Sequence, residues 1–408
     1  MWMDTPIVEF PGFIEELSEE FRPLFQQERS YVQFKRAISG ITISEHPNIA
    51  NINGLFLEHT DQSNLNRFVN SDSWSEHEVN RTRFGMINRV EKDGVVILDD
   101  YIIEKCGPNI YGTDYHHDHS KGRSVFGQNI VDCAFSGDGI FPLLQTQYLR
   151  KGSKWKTDNK HLTKIDIQKQ HLSQLVDLGL NFKWVTFDCW YLCKSLTDHI
   201  ESVEKNWIGQ VKSNRLVRVD GKWIPVKKFA ESIFPHKSFK TAKIGDDTYL
   251  VKVINVEMSK MGIVRLMISN NDRGNFKFFA TNKLDCSEAQ MLKIYCRRWD
   301  IEVWHREGKA DYGIKECRLR GDNGVSKYLT LSCCASTFLE IVTLLSPMLG
   351  VLRRKVGTPG LKRHFVLFDL LKSFISFIQR SGKECYEMIL EAILYPYRST
   401  KVKRLKIV

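Results

Sequence analysis

The segment Ile294 to Ala310, IYCRRWDIEVWHREGKA, has no Gly or Pro before Gly308. It predicts a single helix advancing about 100° per residue. Counted from Tyr295, Arg298, Glu302 and Lys309 fall at roughly 300°, 340° and 320°. One narrow face then carries a phenol, a guanidinium, a carboxylate and an ammonium. Trp304 at about 180° and Asp300 at about 140° point elsewhere. As bare pattern, a polar face of mixed sign describes any solvated helix. It becomes a site if other carboxylates can be brought to Glu302.

Two upstream segments supply such carboxylates, each ending an apolar run of strand length. Gly94-Val95-Val96-Ile97-Leu98 leads into Asp99 and Asp100, and Phe182-Lys183-Trp184-Val185-Thr186-Phe187 leads into Asp188. Unbroken apolar runs read as central strands covered on both faces. Acids at the ends of such strands stand where open α/β sheets bind ligands. Three carboxylates on two strand ends and a helix are hard-oxygen donors suited to Mg²⁺ or Mn²⁺ rather than Zn²⁺. That is the donor set of a two-metal phosphodiesterase site.

The spacing Tyr295-x2-Arg298-x3-Glu302-x6-Lys309 resembles the Y-(2)-R-(3)-E-(6)-K signature of DDE transposases of the insertion-sequence-four family and its relatives. The order Asp, Asp, Glu agrees with it. The resemblance spans roughly Val95 to Lys309 and implies an α/β fold: an RNase H-like mixed sheet flanked by helices, with an inserted, mostly β subdomain and helical N- and C-terminal regions. It further implies cut-and-paste transposition of a prokaryotic insertion sequence in the cytoplasm, at the nucleoid. Asp100, Asp188 and Glu302 would hold two Mg²⁺ ions, for which Mn²⁺ can substitute. Tyr295, Arg298 and Lys309 would contact double-stranded DNA, both terminal inverted repeats and target, within an end-paired homodimer. In the family the ligand is the acid directly followed by a small polar residue. That alignment favours Asp100 over Asp99, although Tyr101 follows here.

The chain has 408 residues, enough for two or three domains. Its 59 Lys and Arg against 48 Asp and Glu give a net charge of +11, which favours a polyanionic partner without specifying one. The start MWMDTP lacks a basic region and an apolar core, so no signal peptide is expected. The apolar segment Leu329 to Leu349 contains Glu340 and Pro347, so a buried helix is expected there and no membrane partner. The ten cysteines include no CxxC pair, and neither a disulfide framework nor a zinc site is expected. Tyr115-His116-His117-Asp118-His119 could ligate a metal but fits no standard zinc spacing; a polar loop explains it equally well.

Residues 1–92 are expected to be helical. Asp61 to Val69 forms one short helix, and Ser73-Trp74-Ser75-Glu76 reads as a capping box opening another towards Asn88. The pair fits a helix-turn-helix for DNA ends or an ordinary bundle. Residues 93–212 and 276–325 form the expected core. In it, Ser136-Gly137-Asp138-Gly139 turns a hairpin, a helix follows over Lys164 to Leu180, and the Asp188 strand comes next. Residues 213–275 are the β-rich insertion, with strand-like runs at Leu216, Trp223, Tyr249 and Ile263. Residues 326–408 are apolar helices with basic interruptions at Arg353-Arg354-Lys355, at Lys362-Arg363 and in the tail Lys401 to Lys406. These basic runs are either solvated surface or phosphate contacts. Trp207, Trp223 and Phe276 to Phe279 are the aromatic candidates for stacking on a base. A non-catalytic or domesticated DNA-binding relative is the alternative function. Another RNase H-like nuclease would share the acids but not the Tyr-Arg-Lys face.

Overall fold

The computed structural model describes residues 6–58, 60–119, 121–155, 161–234, 239–244, 247–271 and 275–382. In chain order the helices α1 (Gly12–Ser18), α2 (Glu28–Ile43), α3 (Ile49–Gly54), α4 (Gln62–Asn70) and α5 (Glu76–Val90) come first. Strands β1 (Val95–Glu104), β2 (Asp114–Asp118), β3 (Arg123–Ser136) and β4 (Ile140–Tyr148) follow, then α6 (Lys164–Asp177), β5 (Trp184–Phe187), α7 (Lys194–Ser202) and β6 (Asn206–Val211). Next are β7 (Leu216–Val219), β8 (Lys222–Pro225), α8 (Val226–Ile233), β9 (Lys240–Ile244), β10 (Asp247–Met258), β11 (Gly262–Asn271) and β12 (Phe276–Thr281). Helices α9 (Glu288–Cys296), α10 (Asp300–Ala310), α11 (Asp322–Leu345), α12 (Pro347–Phe365) and α13 (Leu371–Ser381) complete the described chain. The contacts divide it into two compact units: one of Met1–Val90, Ile102–Gln128 and His305–Val408, the other of Glu91–Tyr101 and Asn129–Trp304.

The second unit is a mixed sheet with helices. Its strands run β4-β3-β1-β5-β6-β12-β11-β10-β7-β8, with β9 beside β10. Strands β1, β5 and β6 are parallel neighbours, as βα crossovers through α7 require. Strand β12 then joins β6 antiparallel, and β11 and β10 follow antiparallel. The β-rich insertion therefore extends the sheet of the core, because the return strand β12 pairs directly with β6. The strand read at Trp223 forms as β8 up to Pro225; α8 begins at Val226, and Val226, Phe229 and Ala230 bury a helical stripe. The hairpin at Ser136–Gly139 forms as expected between β3 and β4. Helix α6 opens on a capping box, Thr163 with Asp166.

One layer of this core bears on the site. Val95, Trp184, Ile208, Phe279, Met267 and Val251 line one sheet face, and Met291, Leu292 and Ile294 of α9 bury against them, with Tyr295 packed at the edge. Helix α9 starts at Ser287, whose hydroxyl accepts from the Gln290 amide at 3.3 Å.

In the first unit the N-terminal helices and the helices after Gly321, read from the sequence as separate regions, pack together around α11. That helix is long and apolar enough to cross a membrane, but 83% of its apolar window is buried. Its neighbours α2, α4, α5 and α12 cover it. The capping box read at Ser73 does not form. Helix α5 begins at Glu76 with Ser75 Oγ accepting from the Glu78 amide at 3.4 Å. Glu76 instead accepts from Ser326 and Thr330 of α11. Helices α4 and α5 thus each lay a face on α11, as bundle members do.

Tyr115 to Asp118 of the histidine cluster are not a loop, and only His119 lies in the turn that follows. Those four residues belong to β2, paired antiparallel with Arg123 to Gly127, and alternation buries His116 while Tyr115 and His117 face outward. Gly357, with φ 67°, bends α12 between its two basic runs. Of the basic runs, Arg353 turns inward to Glu340 and Glu307, and Lys362 is buried against the Ile41 and Asp311 carbonyls. Arg354, Lys355 and Arg363 are exposed. The tail Lys401 to Lys406 lies outside the described residues.

Candidate active site

Strand alternation decides which acids share a face. In the parallel β1–β5 pair, Val95 stands opposite Trp184, Ile97 opposite Thr186 and Leu98 opposite Phe187. Asp99 follows Leu98 within β1, and Asp188 follows Phe187 just past the end of β5. Partners in a parallel ladder point to the same side, and alternate residues share a face. Val95, Ile97 and Asp99, with Trp184 and Thr186, therefore share one face, and Val95 and Trp184 are buried there with α9.

The chain leaving α9 delivers the other charged groups to this face. The single helix expected from Tyr295 to Lys309 is broken: α9 ends at Cys296, a 3-10 turn spans Arg297–Trp299, and α10 begins at Asp300. Arg297 explains the break, since its guanidinium donates to the Gly137 carbonyl and to Ser136 Oγ in the β3–β4 turn. Ser136 in turn donates to Asp300 at 2.5 Å. The 3-10 turn advances about 120° per residue, adding roughly 60° of twist over three residues. Arg298 and Glu302 nevertheless stay together.

Arg298 is the centre of the cluster. Its guanidinium donates to Glu302 Oε1 at 2.7 Å and lies 3.9 Å from Asp99 Oδ2. Burial works against its charge, but the bond to Glu302 and the charges of Tyr295, Glu302 and Asp99 outweigh this and raise its pKa. Its side chain is 17% exposed, against 37% for Glu302. Tyr295 donates from its hydroxyl to Gln210 Oε1 at 3.0 Å. Burial first, then the Asp188 and Cys189 charges, push that phenol up to about 12, against the lowering effect of Arg298. Asp188 Oδ1 accepts the amides of Trp190 and Tyr191 at 2.9 and 3.3 Å, which fixes the carboxylate at the strand end.

Asp100, the acid favoured by alignment, is on the other side of β1. Its carboxylate accepts from Lys164 Nζ at 2.5 Å and from the Tyr191 hydroxyl at 2.8 Å. Burial and the Asp100 and Asp99 charges hold the Tyr191 phenol well above its ordinary pKa. Lys164 begins α6, so Asp100 ties that helix to the strand.

The outlying residues of the reading separate cleanly. Trp304 is buried and donates to Asp132 Oδ2 at 2.9 Å, as its place off the polar face suggests. Lys309 belongs to the other unit, where burial lowers its pKa and Asp118 raises it. Trp207 is buried with its indole N–H on Glu201, and Phe278 and Phe279 are buried too; Trp223 is exposed. Three neighbours of the site were missed. Gln210 and Lys164 lie far from the acids in sequence and carry no local signal. Trp190, 47% exposed, could have been noticed from its place two residues after Asp188.

The donor chemistry of Asp99, Asp188 and Glu302 suits a hard divalent ion. Among the described residues, however, no three His, Cys, Asp or Glu side chains converge closely enough to hold one. A guanidinium stands between Asp99 and Glu302 instead.

Residues 50–228 match the family model described as DDE superfamily endonuclease. The match includes Asp99, Asp100 and Asp188 and ends before Glu302. No curated protein matches the chain. Among solved structures, the Drosophila P element transposase strand transfer complex is similar at 12% identity over 54% of this chain and 55% of that one, with a TM-score of 0.24. The chain thus spans about half the length of that transposase.

Proposed function

We propose that the protein is a DDE-type DNA endonuclease and strand transferase, the transposase of an insertion sequence. The observation that carries this reading is Arg298, bonded to Glu302 at 2.7 Å and 3.9 Å from Asp99, beside a β1–β5 register that pairs Leu98 with Phe187, each the residue before an acid. The match of residues 50–228 to DDE superfamily endonucleases supports it. The strand order β4-β3-β1-β5-β6, with the last three parallel, supports an RNase H-like core.

In this reading Asp99, Asp188 and Glu302 are the metal ligands, and Asp99 replaces Asp100 as the first. Bound divalent ions, two Mg²⁺ by the family resemblance, would supply charge neutralisation at the attacking and leaving oxygens. The protein's own groups do the rest. Asp188, pinned by two backbone amides just past the end of β5, and Asp99, in the middle of β1, present their carboxylates from these two strands. Arg298 supplies a planar donor pair suited to a DNA phosphate. Gln210 holds the Tyr295 hydroxyl at the edge of that surface. Lys309 contacts the DNA backbone. Helices α4 and α5 are the candidates for reading the terminal repeats, with Asn66, Arg67 and Arg81 on their exposed faces. Two chains would pair the two ends.

The guanidinium already seated among the acids favours one second reading, a DNA-binding relative without catalysis. Both are tested by incubating wild type and Glu302→Gln with Mg²⁺ and a labelled duplex carrying the sequences that flank the gene. Cutting at the ends by wild type alone supports the transposase. Specific binding without cutting, in Mn²⁺ as well, supports the second reading.

A further inference from the structure

We infer that Arg298 is a built-in counter-ion that closes the acid cluster until DNA arrives, so that metal loading and DNA binding are coupled through this one side chain. The inference rests on the proposed nuclease reading and takes it further. Three observations meet in it. The guanidinium bonds Glu302 at 2.7 Å and lies 3.9 Å from Asp99, so the positive charge stands where a cation shared by those acids would stand. Among the described residues no three His, Cys, Asp or Glu side chains come together as a metal site while the guanidinium stands between Asp99 and Glu302. The pair is only partly exposed, so the acids are left with repulsion whenever the guanidinium departs and nothing replaces it.

A side chain that neutralises acids in one state and can grip a phosphate in another makes two ligands cooperative. A phosphate draws the guanidinium outward, and the freed carboxylates then accept a divalent ion. A divalent ion at the acids likewise expels the guanidinium towards the DNA. Each ligand must raise the affinity of the other by the same factor. The break between α9 and α10 suits this role. Arg298 sits in the three-residue 3-10 turn, while Arg297 anchors that turn to Ser136 and Gly137. The backbone is held, and the motion falls to the Arg298 side chain alone.

The test is Mn²⁺ binding followed by electron paramagnetic resonance of the free ion, for wild type, Arg298→Ala, Arg298→Gln and Asp188→Asn. Each is titrated with and without a duplex carrying the gene's flanking sequences. The Gln variant keeps a shorter polar side chain with hydrogen-bond donors but no charge, should the Ala variant not fold. The inference predicts that either Arg298 variant binds Mn²⁺ about tenfold more tightly than wild type without DNA, and that DNA strengthens Mn²⁺ binding in wild type but little in the variants. Unchanged or weaker Mn²⁺ affinity in folded Arg298 variants, at a site that Asp188→Asn removes, overturns the counter-ion role alone. No Mn²⁺ site sensitive to Asp188→Asn in any variant, with or without DNA, overturns the nuclease reading and this inference with it.

Discussion

Leu98 and Phe187 are partners in the parallel β1–β5 register, and each is followed directly by an acid, Asp99 within β1 and Asp188 just past the end of β5. Val95 and Trp184, partners in the same register, are buried under α9. The same helix, continued through a 3-10 turn, brings Arg298, with Glu302, to Asp99. The site is thus built by the middle of β1, the end of β5 and one helix exit, all within one unit.

Close packing beneath Asp188 should be intolerant of added atoms. A Cβ at Gly209 would run into the Phe187 ring, which ends the strand before Asp188. Gly209→Ala is expected to destabilise the protein by about 1–3 kcal/mol, the usual range for overpacking. Urea denaturation of the purified variant measures this. Stability equal to wild type would mean that the strand end can shift freely, which is inconsistent with a rigid platform for the acid.

The buried indole of Trp304 donates to Asp132, itself in the centre of β3. Trp304→Phe keeps most of the apolar surface and deletes the donor. A loss of about 1–3 kcal/mol is expected from weakening the satisfaction of a buried carboxylate. Double replacement with Asp132→Asn should cost less than the two single changes added together. Strict additivity in the same denaturation experiment would argue against a direct coupling.

Lys362 gives the first unit a pH signature. It is fully buried, and burial lowers its pKa from 10.5 to about 8 despite Asp311 and Glu307. Between about pH 8 and 10.5 the unfolded chain therefore carries a proton at this position that the folded chain has released. Stability from this group rises with pH across that window, since the unfolded state binds more protons, and the penalty for burying the charge is fully present below pH 8. Thermal melts in Lys362→Met should lack this contribution. A variant whose melting temperature follows the wild-type curve from pH 8 to 10.5 would rule it out.

Much of the fold was legible because hydrophobic runs state burial directly. Val95 to Leu98 and Trp184 to Phe187 are central strands as their apolar runs state, but only Asp188 stands at a strand end: β1 runs on to Glu104, so Asp99 and Asp100 lie in its middle, where the run alone places its end. The Ser136–Gly139 turn and the return strand at Phe276 were equally plain. Other features depend on long-range contacts that no local pattern encodes. Whether Asp99 or Asp100 faces Glu302 is a question of β1–β5 register, which shifts every side chain to the other face for one residue of slip. The break at Arg297 contains neither Gly nor Pro and is drawn by Ser136 and Gly137, far away in sequence. Strand β2 is spelled with histidines and aspartates and shows itself only beside Arg123 to Gly127. The inward turn of Arg353 and Lys362 was likewise hidden, because a basic run looks the same whether water or buried acceptors receive it.

The most direct measurement compares Asp99→Asn with Asp100→Asn in Mg²⁺-dependent cleavage of the duplex carrying the gene's flanking sequences. Both proteins are first shown to be folded by circular dichroism. The register predicts that Asp99→Asn abolishes cutting, while Asp100→Asn, which weakens the tie to Lys164 and Tyr191, keeps measurable cutting with lower thermal stability. Loss of cutting in folded Asp100→Asn together with retained cutting in Asp99→Asn would contradict the account.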